Sequence, residues 1–345
     1  MLDWRRALGE AVAGGAAEVR FAEPMARHTT FRIGGLADAW VCVNDRQALA
    51  RVLEVCRASG VRYWVLGRGS NVLISDQGLR GVVITLGGEL AQVRIQGVKD
   101  SRIPAARPLE SSNPGIISAG AGASLDEVAT FAEKEGLTGV EFLAGIPGTV
   151  GGGLHSNAGA FGRSLGDIVT SVTAVSAEGA EQVLASAQLR REYRRPMIGD
   201  GLIAVEVTME LEVKSQSSTP DSRFTTPADV REQRWAKHPK EPSAGSYFRN
   251  PETGAGQRIP AGRLIEQCGL KGRTIGGAKV SEKHANFLVN AGKARFADVY
   301  ELAQVVKAAV EQETGILLEE EVQYLPGPGN PVGQKSEGRG QTWRS

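Results

Sequence analysis

The sequence predicts an α+β fold with many strands. Three observations carry that expectation. Short apolar runs recur through the first two-thirds of the chain, helical spacing is confined to isolated stretches, and the two do not alternate as a βαβ array requires. At 345 residues the chain is long enough for two or three domains with separate cores.

The elements follow in order. Asn44 and Gln47 resemble a capping box, after which Leu49, Val52, Leu53 and Cys56 recur at helical spacing and Gly60 closes the helix. Val61–Leu66 reads as a strand, Gly67–Asn71 as a loop, and Val72–Ile74 and Val82–Ile84 as further strand-like runs. Ile116–Ala119 is strand-like. Ser124 with Glu127 opens a second helix carried by Leu125, Val128, Ala129 and Ala132 and ended near Gly136. Val169–Ser176, Gln182–Leu184 and Ile203–Val213 read as strands. Lys99–Pro114 and Lys214–Ala228 read as loops, the second marking a domain boundary. Phe296–Thr314 is an amphipathic helix stopped at Gly315, Ile316–Leu325 a final strand, and the chain from Pro326 onward a disordered tail.

The apolar fraction is 41%, the charged fraction 23% and the net charge +1, so no field favours nucleic acid, membrane or acidic partners. The three cysteines are scattered, which suits a reducing compartment, and the four histidines show no metal-ligand spacing. No secretory signal and no run of eighteen apolar residues is present, so the expectation is a cytoplasmic protein.

The densest signal is the run from Ala144 to Gly162. Seven of the eighteen residues from Gly145 to Gly162 are Gly. Such density is unfavourable to folding unless the backbone needs positive φ or lies against a ligand, and a phosphate taken by exposed N–H groups is the obvious one. Gly67-Arg68-Gly69-Ser70-Asn71 is neither a Walker A loop nor a full dinucleotide fingerprint. It reads either as a hairpin turn or as a nest of N–H groups on a diphosphate, and two such loops together favour a dinucleotide. Ser243–Pro251 alone reads as a turn into a strand and is no hydrolase elbow. In the Glu319-Glu320-Glu321 run, period-two alternation puts Glu319 and Glu321 on one face. Glu320 then falls beside Leu318, Val322 and Tyr324 as the misplaced carboxylate, unless the run is simply a solvated edge.

These motifs, in this order, resemble UDP-N-acetylenolpyruvoylglucosamine reductases (UDP-N-acetylmuramate dehydrogenases) of the shorter subclass. The matching residues are Thr29–Gly35, Leu66–Leu73, Ala144–Gly162, Tyr193-Arg194, Ser243–Pro251, Gly269–Asn290 and Leu318–Val322. The resemblance implies a two-part FAD-binding domain of the vanillyl-alcohol-oxidase (PCMH) type over residues 20–213, split near 87, after an N-terminal segment 1–19. A linker 214–228, an α+β substrate domain 229–325 and the tail 326–345 follow. It implies non-covalent FAD, held by Arg68, Gly69, Ser70 and Asn71 and by Ile146, Pro147, Gly148, Val150 and Gly152, with Asn157 and Gly159 near the flavin ring.

It further implies that NADPH reduces UDP-N-acetylglucosamine enolpyruvate through FAD, in peptidoglycan precursor synthesis, by a monomer. Hydride reaches C3 of the enol ether and charge develops on C2 and the adjoining carboxylate. By resemblance Ser246 is the proton donor to C2, Arg194 and Glu321 polarise the carboxylate, and Tyr193, Lys237 and Asn250 bind the substrate, Lys237 as a point charge on the diphosphate. Glu321 can help only if protonated, which burial favours. Gln323 stands where the family often has Arg, Pro196 where many members have Ser, and His155 where an aromatic is common. Two rival readings remain: a flavin oxidase on the same cofactor fold, and a catalytically silent flavin or nucleotide-sugar binder.

Overall fold

A computed structural model describes residues 3–96, 115–213, 226–252, 256–326 and 343–344. Most of the loops expected at 99–114 and 214–228, and most of the tail expected from 326, lie outside the described residues. Among the described residues no helix is long and apolar enough to cross a membrane.

Helix α1 (Trp4–Ala11) is capped by the Asp3 carboxylate and buries Leu8. Strands Ala17–Pro24 and Leu36–Val43 then pair antiparallel. Neither was expected: the first is charged and half of it exposed, so it lacks an apolar run, while the second does carry one in Ala39–Val43. Helix α2 (Arg46–Ser59) lays Leu49, Val52, Leu53 and Cys56 into the core and ends at Gly60, φ 63°. Its cap is Asp45, which accepts from the Ala48 N–H at 2.7 Å, and not Asn44, whose amide reaches the Gly15 carbonyl. Asn and Asp cap equally well, so adjacent candidates cannot be ranked from sequence. Leu79–Leu86 lies parallel to both Leu36–Val43 and Tyr63–Val65. Trp343–Arg344 adds in parallel to Tyr63–Val65, a sheet edge with open backbone groups, so the expected tail disorder does not extend to these two residues.

Val72–Ile74 leaves that sheet and pairs in parallel with Gln323–Leu325. The Gly67–Asn71 loop is therefore no hairpin turn: it carries the chain from one sheet to another.

The next core forms under an antiparallel sheet in which Ile203–Val213 lies between Val169–Val175 and Gly115–Gly120. Helix α3 (Leu125–Lys134) has the expected Ser124/Glu127 capping box and packs Val128 and Ala132 inward. Helix α4 (Val150–Ser156) emerges within the glycine run. Helix α5 (Pro227–Lys237) opens with a Thr226/Asp229 capping box and a Pro in its first turn, and Val230 joins this core.

Helices α6 (Ala261–Gln267) and α7 (Phe296–Thr314) pack with a three-stranded sheet in the C-terminal part. Helix α7 has the expected bounds and stops at Gly315, φ 71°. Its Val299, Leu302 and Val306 share a core with Val280, Leu288 and Leu318 and also with Phe31, Ile33 and Leu73 from the other end of the chain. Leu73, just after the Gly67–Asn71 loop, is thus built into the core of the C-terminal part, whereas Leu66 before the loop belongs to another core. The expected strand Ile316–Leu325 is confined to Gln323–Leu325.

Candidate active site

A cleft runs between the first two cores. Its inner, largely apolar part is lined by Val65, Leu66, Leu86, Ala121, Leu154 and Ile198 among others. A second compartment is lined by Arg68, Gly69, Ser70, Asn71, Ile146 and Gly148. Gly67, Arg68, Thr149, Gly152 and His155 line both, so the two are continuous.

The two glycine loops meet here. A Cβ on Gly67 would lie 2.4 Å from Thr149 Oγ1, and a Cβ on Gly69, φ 59°, would lie 2.2 Å from the His28 carbonyl oxygen. Among the described residues no protein group accepts from the N–H groups of Gly67, Arg68, Gly69, Ser70 or Asn71. Five successive open donors beside an exposed Arg68 fit the diphosphate of a dinucleotide.

The other loop is different. The Gly145 N–H donates to Asp126 Oδ1, Gly148 to the Ile146 carbonyl, Val150 to Ala123, Gly151 to Ala121 and Gly152 to Thr149 Oγ1. Those N–H groups are not available to a phosphate, which corrects the anion-cradle expectation for this run. Its glycines instead let backbones and side chains approach: a Cβ on Gly153 would meet Leu165 at 2.6 Å, and one on Gly151 would meet the Ala121 carbonyl at 3.1 Å.

Four expected cofactor residues are also absent from the lining. Val150 is fully buried in the core, and Pro147 is exposed and lines neither compartment. Gly159 has no room for a Cβ because the Arg163 carbonyl sits 2.3 Å from where it would be, in the short Gly159–Ser164 hairpin. Asn157 closes α4 in left-handed conformation at φ 42°. Its Nδ2 donates to the Arg191 carbonyl at 3.0 Å, and its Oδ1 accepts from Gly166 N–H at 2.9 Å. It therefore holds the loop that presents Arg194. The Met197 N–H, donating to the Leu154 carbonyl, fastens the far side of that loop.

Arg194 is itself left-handed, φ 55°, a conformation costing about 1–3 kcal/mol for such a residue. Its Nε lies 2.9 Å from Glu321 Oε1, yet the N–H is not aimed along that line, and Nε is a buried donor without a hydrogen bond. Burial raises the Glu321 carboxyl above its ordinary range, against the opposing pull of Arg194 and Arg249. A carboxyl made harder to ionise by burial leaves more of the guanidinium charge available to an incoming anion.

Sequence reasoning missed Arg234 and Arg249. Both, like Arg194, have a buried Nε with no partner. Burial, and repulsion from Arg194, lower Arg234 to about 10, so it stays cationic at neutral pH. Arg249 lies within the quoted Ser243–Pro251 segment, so its closeness to Ser246 was the available signal. Arg234 gave none, because a buried guanidinium on α5 looks like a solvated one in sequence.

Glu321 is tied to both ends of the molecule. Its N–H donates to the Tyr247 carbonyl at 2.8 Å, and its carbonyl accepts from Asn71 Nδ2 at 3.1 Å. Ser246, half-buried, precedes Tyr247 directly. Thr30 closes the ring: its N–H donates to the Gly69 carbonyl, and its hydroxyl donates to the Ser243 carbonyl at 2.7 Å. Arg194, Glu321 and the Ser246 segment are thus assembled beside the open-donor loop.

Residues 237–325 match the C-terminal domain of UDP-N-acetylenolpyruvoylglucosamine reductase, and residues 37–185 match an FAD-binding domain. UDP-N-acetylenolpyruvoylglucosamine reductase 2 of Symbiobacterium thermophilum is 39% identical over 309 residues, covering 88% of this chain and 91% of the relative. The chain belongs to the UDP-N-acetylenolpyruvoylglucosamine reductase family. The Bacillus subtilis reductase is 36% identical, covering 88% of this chain and 93% of its own. The crystal structure of the reductase (MurB) from Thermus caldophilus superposes with a TM-score of 0.69 at 32% identity, covering 89% of this chain and 98% of that one. The chain is an FAD-dependent oxidoreductase of peptidoglycan precursor synthesis, an α+β protein with a vanillyl-alcohol-oxidase-type FAD-binding unit, and it uses FAD and NADPH.

The remaining expected substrate residues are dispersed. Tyr193 is partly exposed and stacked by Arg258, whose guanidinium carbon lies 3.9 Å from the ring centroid. Lys237 is exposed at the end of α5. Asn250 Oδ1 accepts from the Ala261 N–H at 2.9 Å at the start of α6, so only its amide NH2 could serve a substrate. His155 and Gln323, the two departures noted above, touch each other through their Nε2 atoms.

Proposed function

We propose that Ser246, Arg194 and Glu321 carry the substrate half of the reaction, in which UDP-N-acetylglucosamine enolpyruvate becomes UDP-N-acetylmuramate. When bound, FAD supplies the hydride that passes from NADPH to C3 of the enol ether. Arg194 takes the substrate carboxylate, with its unpartnered Nε offering a buried donor whose present isolation costs about 1–3 kcal/mol. Glu321, kept protonated by burial, donates a second hydrogen bond as charge builds on that carboxylate. Ser246 delivers the proton to C2, which balances the hydride and completes a two-electron reduction. Arg68 and the open N–H groups of Gly67–Asn71 hold the FAD diphosphate, and Lys237 faces the substrate diphosphate as a point charge.

The observation that carries this reading is the join at Glu321: one residue pairs with Arg194, hangs from the carbonyl next to Ser246, and is latched by the cofactor loop. Ser246→Ala should leave bleaching of bound flavin by NADPH intact and abolish the return of colour with the enolpyruvyl substrate. Colour returning at the wild-type rate would remove Ser246 as proton donor. Fast oxygen consumption with an alcohol substrate would instead favour the oxidase reading. Because Glu321 must stay protonated, and burial raises its pKa, the substrate half should hold below that raised pKa and fall as pH rises through it. Glu321→Gln, which cannot ionise, should flatten that falling limb in a stopped-flow pH series. We also place the protein in the cytoplasm, where its three unpaired cysteines stay reduced, and expect a monomer, which sedimentation at one chain mass would support.

A further inference from the structure

The carboxylate that periodicity singled out, Glu320, has no part in the chemistry above, yet it stands at the end of a hydrogen-bonded chain that leads to it. Lys307 Nζ on α7 lies 3.0 Å from each carboxylate oxygen of Glu320, and Gln304 Nε2, one turn earlier on the same face, lies 3.4 Å from Oε1. The Tyr324 hydroxyl donates to Glu320 Oε1 at 3.4 Å, and the Tyr247 hydroxyl donates to the Tyr324 oxygen at 3.2 Å. Tyr247 is fully buried. Burial raises both phenols, so each remains a neutral O–H donor at neutral pH.

The chain matters because of where its members sit in sequence. Tyr247 follows Ser246, and Glu320 precedes Glu321. The Tyr247 carbonyl accepts from the N–H groups of both Glu321 and Val322, and Phe248 bridges Glu320 backbone to backbone. The Tyr247 ring and the Glu320 side chain therefore fix, at one end each, the two backbones that present the hydroxyl and the carboxyl. Helix α7, nineteen residues long, is the rigid member to which both are referred.

We propose that Glu320 and Lys307 are positioning residues for the substrate-reducing step, acting through Tyr324 and Tyr247 on Ser246 and Glu321. The proposal rests on the assignment of those two groups made above. It gives a half-buried carboxylate held by Lys307, Gln304 and Tyr324 a reason to be there: it aligns a proton donor and a carboxyl that must act on adjacent atoms. Misplacing such groups by about 1 Å can cost a hundred-fold in rate.

Single-turnover stopped flow on the FAD-loaded enzyme tests this. Glu320→Gln and Tyr324→Phe remove the ion pair and the middle hydroxyl, respectively, with little change in volume. Each should slow return of flavin colour at saturating enolpyruvyl substrate about ten-fold, while bleaching by NADPH stays within about two-fold of wild type. The solvent deuterium effect on colour return should rise, because proton delivery becomes the slower event. Adding either change to Ser246→Ala should bring no further loss. A purely structural role would lower the thermal midpoint and slow both halves alike, and that result overturns the proposal. So does an unchanged rate of colour return in both variants. Ser246→Ala alone separates the two levels. If it is inactive in colour return while Glu320→Gln and Tyr324→Phe are normal, only the positioning role falls. If it returns colour normally, the proton-donor assignment falls and takes this inference with it.

Discussion

In the Gly67–Asn71 loop five successive N–H groups are open, whereas in the Gly145–Gly153 segment almost every N–H has a protein acceptor. Both are glycine-rich and both line one cleft. Glycine density therefore does not distinguish a loop that offers its backbone to a ligand from one that lets other parts of the protein come close. The hydrogen-bond partners do, and they are invisible in a sequence. The first loop supplies donors. The second supplies a surface, a short helix packed closely enough that a Cβ on Gly151 would crowd Ala121 and one on Gly153 would crowd Leu125 and Leu165.

The sharpest way to break this contrast is Gly69→Ala. The added methyl would meet the His28 carbonyl oxygen at 2.2 Å in left-handed backbone, so the loop must move and its donors with it. We expect a loss of about 3–4 kcal/mol in stability and failure to retain FAD, read from the thermal midpoint and the visible absorbance of the purified protein. Asn71→Ala spares the backbone donors and removes the latch on the Glu321 carbonyl. It should keep FAD bound and bleachable by NADPH, yet slow return of colour with substrate about ten-fold, in line with about 1.4 kcal/mol.

Gly152→Ala probes the second loop where it faces the cleft. Its methyl would meet only Thr149 Oγ1, at 3.5 Å, and Ala favours helix over Gly by about 1 kcal/mol, so the FAD-free protein should be as stable or slightly more stable. If cofactor lies against this backbone, FAD affinity measured by fluorescence should fall about ten-fold. Unchanged affinity would mean that this glycine serves the protein's own packing alone. The smallest effect is expected from Thr149→Ala, which removes the cap on the Gly152 N–H and should cost about 1 kcal/mol in a denaturation titration.

Helix α7, helix α3 with its capping box and the strand Ile203–Val213 were legible because local periodicity and caps agree with tertiary burial. Helix α4 was not. Three consecutive glycines argue against a helix, and tertiary contacts account for two of them, Gly151 against Ala121 and Gly153 against Leu125 and Leu165. The Glu run failed for a related reason. Period-two reasoning needs a strand, but residues 319–322 meet Tyr247–Arg249 through one isolated bridge, Phe248 with Glu320, and a few backbone hydrogen bonds, so Glu319 is exposed while Glu320 and Glu321 are both turned inward. Arg194 and Ser246 rested on motif order, and no periodicity could have brought them near each other. Asn157 illustrates the limit from the other side: its position by the cleft was right in neighbourhood and wrong in role, since its amide holds the Arg191 carbonyl.

The parallel pairing of Val72–Ile74 with Gln323–Leu325 also bears on how the molecule comes together in time. It joins residues about 250 positions apart, and the Asn71 latch on Glu321 lies at its end. Closing so long a loop has a high entropic barrier, so local helices and neighbouring strands should form first. The sheet of Leu36–Val43, Tyr63–Val65 and Leu79–Leu86 would then form while the Gly67–Asn71 loop, which leans on the C-terminal core, and the chemical half are still open. In a pulse-labelling refolding experiment, amides of Leu79–Leu86 should gain protection from exchange before those of Gln323–Leu325, and simultaneous protection would refute that order. An early, incomplete molecule of this kind would lack the buried carboxyl beside Arg194, and so would be unable to pass hydride productively to its substrate.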